Sequence, residues 1–322
     1  MFRYRPKLVV AAGLALLSPA LPALADEDGV SFWLPGQYAS MTAVPGAPGW
    51  SLAAVYYHAS LSAGADVKFP QGTEINAGVG GQLDLGVVSP AYTFPGEVLG
   101  GRATIGLASI YGRSFASVDA TLSGPNGGQI SGYADDTLWG FGDLYPTASL
   151  KWNMGVNNVM TYVSGDIPVG AYDKDRLANL GIGHGAIDGG FGYTFFNPET
   201  GNEFSFLAGL TYNFENEATD YQNGIDSHLD WGASKFLSER LQLGIAGYFY
   251  RQVTGDSGKG ATLGAFESSV ASIGPQFGYF FPAGEWQGYF NARGYYEFSA
   301  DNRPSGWNTF VTLAFSPMPN KH

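Results

Sequence analysis

The residues best suited by type to do chemistry are His58 and Ser60, in the run Tyr56-Tyr57-His58-Ala59-Ser60. Side chains two apart on a strand point the same way, so the imidazole and the hydroxyl share a face. A base beside a hydroxyl nucleophile is the core of an acyl hydrolase, as in outer-membrane lipid hydrolases, provided a third group orients the imidazole. If the first hairpin turns around residues 65–68, Glu74 or Asn76 on the next strand would supply that group. The competing reading is ordinary polarity at the external rim, since a two-residue motif matches often by chance. No catalytic residue is assigned on this basis, and the expected protein is not an enzyme.

A second constellation joins charges to tyrosines. In Trp286–Phe298, WQGYFNARGYYEF, one face carries Trp286, Phe290, Tyr296 and Phe298, and the other Tyr289, Asn291, Arg293, Tyr295 and Glu297. That is the period of a strand with one apolar and one polar side, and it exceeds the ~9–11 residues a tilted strand needs to cross a bilayer. A charge facing lipid at mid-membrane costs about 2–4 kcal/mol for Arg or Lys, so Arg293 must face a lumen. The same phase sends Asp84, Asp143, Lys151, Asp166, His184, Asp188, Glu203 and Asp230 inward, with Tyr145, Tyr162, Tyr248, Tyr250, Tyr289 and Tyr295. Tyr289, Arg293, Tyr295, Glu297, His184 and Asp188 are the candidate solute-binding residues, a wall able to hold an aromatic ring and a phenolic hydroxyl. Cross-lumen bracing of the barrel by the same charges is the competing reading.

The elements that position these residues repeat one unit. Turn signals cut residues 49–315 into about twelve strands, Leu138–Asn153, Asn158–Gly170 and His184–Phe196 among them, with short and long connections alternating throughout. Short periplasmic turns and long external loops are the pattern of a single-domain, all-β antiparallel transmembrane β-barrel.

Composition agrees: the 322 residues are 45% hydrophobic but only 14% charged, below the quarter usual for a soluble surface. Arg3, Arg5 and Lys7 precede an apolar run and Ala23-Leu24-Ala25, so residues 1–25 read as a signal peptide directing the chain to the bacterial outer membrane, with its lipids as partners. Its removal makes a chain of net charge −12 more acidic still, which excludes nucleic-acid binding. With no cysteine, disulfides and thiolate metal sites are excluded, and no cofactor or metal is expected. Residues 26–48 do not alternate, yet Phe32, Trp33 and Tyr38 require burial, so this segment is expected to enter the barrel as a plug. Residues 316–322 form a tail.

At SFWLPGQY (Ser31–Tyr38), GWSL (Gly49–Leu52), YYH (Tyr56–His58), RLANLGIGHGAIDGGFGYTF (Arg176–Phe195) and GPQFGY (Gly274–Tyr279) the chain resembles a known group. It is the family of outer-membrane proteins involved in the meta-pathway of phenol degradation. The resemblance covers nearly all of the chain after the signal peptide. It implies a barrel for uptake of aromatic or other small hydrophobic compounds. A barrel hydrolase and a purely structural barrel are the alternatives.

Overall fold

The computed structural model describes residues 31–68, 74–123, 128–262 and 264–318. The expected signal peptide lies outside them, as do residues 319–322 of the expected tail. Twelve strands follow in order: β1 Gly49–Lys68, β2 Glu74–Val98, β3 Gly101–Ser123, β4 Gln129–Met154, β5 Asn157–Asp166 and β6 Ala186–Asn197, then β7 Asn202–Asn213, β8 Asp226–Phe236, β9 Leu241–Gln252, β10 Ser269–Ala283, β11 Trp286–Asp301 and β12 Ser305–Pro317. Each pairs antiparallel with its neighbours, and β12 returns to β1 to close a barrel. Hydrocarbon offers no water to an unpaired strand edge, so closure is what lets these backbones stand in lipid.

The two faces separate as the alternation requires. On β11, Arg293, Tyr295 and Glu297 are buried while Tyr296 and Phe298 are exposed to the outside. On β7, Glu203, Ser205, Thr211 and Asn213 are buried, whereas Phe204, Leu210 and Tyr212 face outward. Aromatic pairs mark both edges of the apolar belt: Trp50 and Tyr92, 5.2 Å apart, near the end where β1 starts and β12 finishes, and Tyr111 and Phe141, 4.9 Å apart, nearer the other. This is the fold of a bacterial outer-membrane barrel, and the belt sets it in the bilayer.

The wall is uneven in height. Strands β1–β4 have 20, 25, 23 and 26 residues, while β5 has 10 and β6 has 12. Short turns hold the periplasmic ends, so the excess projects from the cell surface. The strand expected from Leu138 therefore starts earlier: β4 begins at Gln129 and pairs Gln129 with Ser123 through Asp136 with Ala116. Above the bilayer both faces of a strand are polar, which erases the alternation while the backbone pairing continues. β5 ends at Asp166 rather than residue 170, and His184 precedes β6 in a loop. That loop, residues 167–185, folds against the inner side of β4. Asp143 accepts hydrogen bonds from the Gly170 and Ile182 amides at 2.6 and 2.8 Å, and Asp136 pairs with Arg176 at 2.7 Å.

Candidate functional site

Residues 31–48 lie inside the barrel, and their backbone explains how they stay there. A segment without regular structure has amide groups that must find partners when buried. Here the wall supplies them. On the β7–β8 side Asp230 accepts from the Gly36 and Tyr38 amides at 2.9 and 3.1 Å, and Glu203 from the Met41 amide at 3.0 Å and the Ser40 hydroxyl at 2.6 Å. From the two flanking walls, Lys151 of β4 donates to the Thr42 carbonyl at 2.7 Å, and on β11 Arg293 donates to the Gln37 carbonyl at 3.2 Å and Tyr295 to the Gly36 carbonyl at 3.2 Å. Acids thus meet N–H groups and cations meet C=O groups. Gly36 has φ +86°, and a Cβ there would come within 2.8 Å of the Tyr248 ring, so the chain can pass between Tyr248 and Tyr295 only as glycine.

The side chains of the segment fill apolar and aromatic space. Phe32 and Trp33 are buried. Trp33 stacks on His228 with ring centroids 3.6 Å apart and packs between Tyr38 and Tyr162, while Phe32 meets Tyr145. The rings therefore meet Tyr145 and Tyr162, and Tyr295 contacts the segment through its backbone. His228 is held in turn by Asp188 at 2.9 Å, and Asp188 accepts from Thr211 at 2.6 Å.

Among the described residues, two cavities follow one another along the axis. One, about 550 Å³, stands between the segment and the wall and is lined by Tyr145, Lys151, Tyr289, Arg293 and Phe310 together with Ala53, Val55, Val87 and Ala108. The other, about 240 Å³, lies nearer the cell surface between Leu61, Leu83, Ser114 and residues 176–182 of the inward loop. The pairing shows what separates them. Tyr57 pairs with Leu85 and Leu85 with Gly112, while the next inward row is Ala59, Leu83 and Ser114, of which Leu83 and Ser114 line the smaller cavity, and the row below is Val55, Val87 and Ile110, which belongs to the larger. Tyr57 and Leu85 are each 5% exposed, and Tyr57 packs on Phe310 at 4.6 Å. A Cβ at Gly112 would lie 2.2 Å from the Asp84 carbonyl oxygen and 3.0 Å from the Leu85 side chain, so the row is filled by Tyr57 and Leu85 beside a glycine that has no room for a side chain.

The sequence-derived candidates are distributed over this interior. Tyr289 and Arg293 line the larger cavity. Tyr295 lies beneath Gly36, Glu297 accepts from Tyr248 at 2.6 Å and from the Gly306 amide at 3.0 Å, and Asp188 is tied to His228. His184 is buried in the inward loop beside Asn223. His228 was missed, although the period of two starting from Asp230 puts it on the lumenal face.

Two expectations are corrected. Asp84 faces outward, since its neighbour Leu85 is the lumenal residue. It accepts from His58 Nδ1 at 2.7 Å, from Tyr56 at 2.8 Å and from Arg113 at 3.3 Å. His58, Asp84, Arg113 and Trp139 form one row across β1–β4, at the level of the outer aromatic girdle, where an outward charge costs only about 0–1 kcal/mol. The rule that charges turn inward therefore does not reach them. Glu74 and Asn76 pair with Lys68 and Asp66, well beyond His58 toward the cell surface, so neither orients its imidazole; Asp84 does. No hydrogen bond joins Ser60 to His58 among the described residues.

A family model described as "Putative MetA-pathway of phenol degradation" matches residues 64–313. The chain belongs to this family. Among solved structures it is similar to an outer membrane channel from Pseudomonas putida F1, at 15% identity and TM-score 0.63, over 88% of this chain and 98% of that one. The monoaromatic hydrocarbon channel CymD matches at 7% identity and TM-score 0.36, over 85% of this chain and 90% of that one. No curated protein sequence matches. At 15% identity the likeness to the Pseudomonas putida channel is one of fold.

Proposed function

We propose that the protein is an outer-membrane channel for small hydrophobic compounds, aromatic ones in particular, with residues 31–48 acting as an internal plug. The observation that carries this reading is the pair of cavities on one wall, parted by the single row Tyr57–Leu85–Gly112. A bracing barrel with no cargo would be filled; this one keeps about 550 Å³ of aromatic-lined space, in the range of small-ligand pockets. Membership of a family named for phenol degradation supports an aromatic substrate class. Tyr289 and Arg293 are the wall residues a solute meets in the larger cavity, and Phe32, Trp33 and Tyr38 the plug residues. The test is uptake of labelled phenol at low concentration by cells expressing the wild type or Ala108→Trp, which fills the cavity without touching a plug hydrogen bond. Wild-type cells should take up phenol faster than Ala108→Trp cells; equal initial rates at equal barrel abundance overturn the proposal.

A second reading has one observation in its favour. The His58 imidazole is oriented by a carboxylate, as a hydrolase requires. Against it, Asp84 is shared with Tyr56 and Arg113, and the Ser60 hydroxyl is not engaged with the base.

A further inference from the structure

The larger cavity has a charge asymmetry that the hydrophobic reading leaves unused. Its walls include Lys151 of β4 and Arg293 of β11 and, among the described residues, no Asp or Glu. This holds inside an acidic protein whose lumen carries Asp188, Glu203 and Asp230, all buried. The plug explains the separation. It stands between those acids and the cavity, and it occupies both oxygens of Asp230 and of Glu203 with its own N–H groups and the Ser40 hydroxyl.

The two cations are left short of partners. Each donates one hydrogen bond to a plug carbonyl and Arg293 also meets the Tyr295 hydroxyl, whereas an ammonium has three donors and a guanidinium five. Among the described residues neither has a carboxylate at ion-pair distance. Arg293 is 7% exposed, and its Nε is buried without a partner. Asp230 acts on Arg293 only from beyond ion-pair distance, with both its oxygens held by plug amides, and a buried cation without a direct counter-charge is unfavourable unless an anion completes it. Aromatic surface lines the same cavity: the Arg293 guanidinium lies over Phe310 at 5.1 Å, and Tyr145 and Tyr289 share its walls.

We infer that this cavity takes amphipathic anions, an aromatic ring bearing a carboxylate, with Lys151 and Arg293 receiving the carboxylate and the aromatic wall the ring. The inference rests on the channel reading and sharpens its substrate class. Charge-assisted hydrogen bonds to a carboxylate are the strong ones, and the guanidinium fork matches its two oxygens.

The test compares benzoate with benzyl alcohol, nearly the same shape without the charge, by calorimetry on the purified full-length barrel in detergent, with sodium chloride as the inorganic control. Benzoate should bind more tightly than benzyl alcohol by about tenfold or more. Lys151→Met should lower the benzoate-to-benzyl-alcohol affinity ratio about tenfold, and Lys151→Arg should restore it. Heat-modifiable migration on gels certifies that each variant is a folded barrel; if Lys151→Met fails that check, Arg293→Gln is read by the same ratio. Benzyl alcohol binding as well as benzoate, or a ratio untouched by the substitution, overturns the anion inference and leaves the channel reading standing. Chloride competing as strongly as benzoate overturns it too, since the site would then be a simple anion site. Neither aromatic binding at all overturns both readings.

Discussion

Replacing Asp230 by Asn removes a charge while keeping size, at the residue that accepts both the Gly36 and the Tyr38 amides. The asparagine can accept from one amide but turns an NH2 group toward the other. One charge-assisted hydrogen bond is lost and one buried donor is left unsatisfied, each worth roughly 1–3 kcal/mol. Allowing for relaxation, about 3 kcal/mol should be removed from the closed state of the plug, roughly a hundredfold in its opening equilibrium. The assay is hydrogen exchange of the peptide covering residues 31–43 in the assembled barrel. Exchange there should accelerate by about two orders of magnitude in Asp230→Asn, while strands β5–β7 stay protected. Exchange within threefold of wild type would refute the reasoning, because the plug would then be held by its apolar side chains alone.

Phe290→Arg should impair assembly into lipid vesicles by about 2–4 kcal/mol, the cost of a lipid-facing arginine, and more than Arg293→Ala; equal folding yields would remove the facing assigned to β11. Tyr57→Ala should join the two cavities and speed uptake of labelled phenol; an unchanged rate would mean that this row is not the constriction. Gly112→Ala puts a Cβ against the Asp84 carbonyl and Leu85, and should lower the apparent melting temperature; an unchanged value would show that the strands part there freely. Phospholipid hydrolysis by the purified barrel should be no greater than that of Ser60→Ala, and a clear excess would revive the hydrolase reading.

The barrel was legible because lipid imposes a strict rule on every strand it touches. Where that rule applies, as on β7 and β11, inward and outward residues were assigned correctly from alternation. Where it lapses, the sequence misled. Asp84 was turned inward because a charge was assumed to meet hydrocarbon, yet it stands at the outer girdle with His58 and Arg113. The first part of β4 passed for a loop for the same reason. The expectation that Phe32, Trp33 and Tyr38 act as plug residues rested on their apolarity, which says nothing of their partners. Asp230 and Glu203 lie far from the plug in sequence, and nothing local shows that their oxygens are reserved for its amides. The partition of the lumen into an acidic side and a cationic cavity likewise exists only once the plug is in place.

The most direct test of the account is osmotic swelling of proteoliposomes in arabinose, with the wild type set against a chain lacking residues 31–43. Arabinose is polar and has no other route across the lipid. The wild-type barrel should swell its vesicles barely faster than protein-free lipid, and the deletion should swell them quickly with the barrel still heat-modifiable. Equal rates for the two proteins would contradict the claim that residues 31–48 close the lumen.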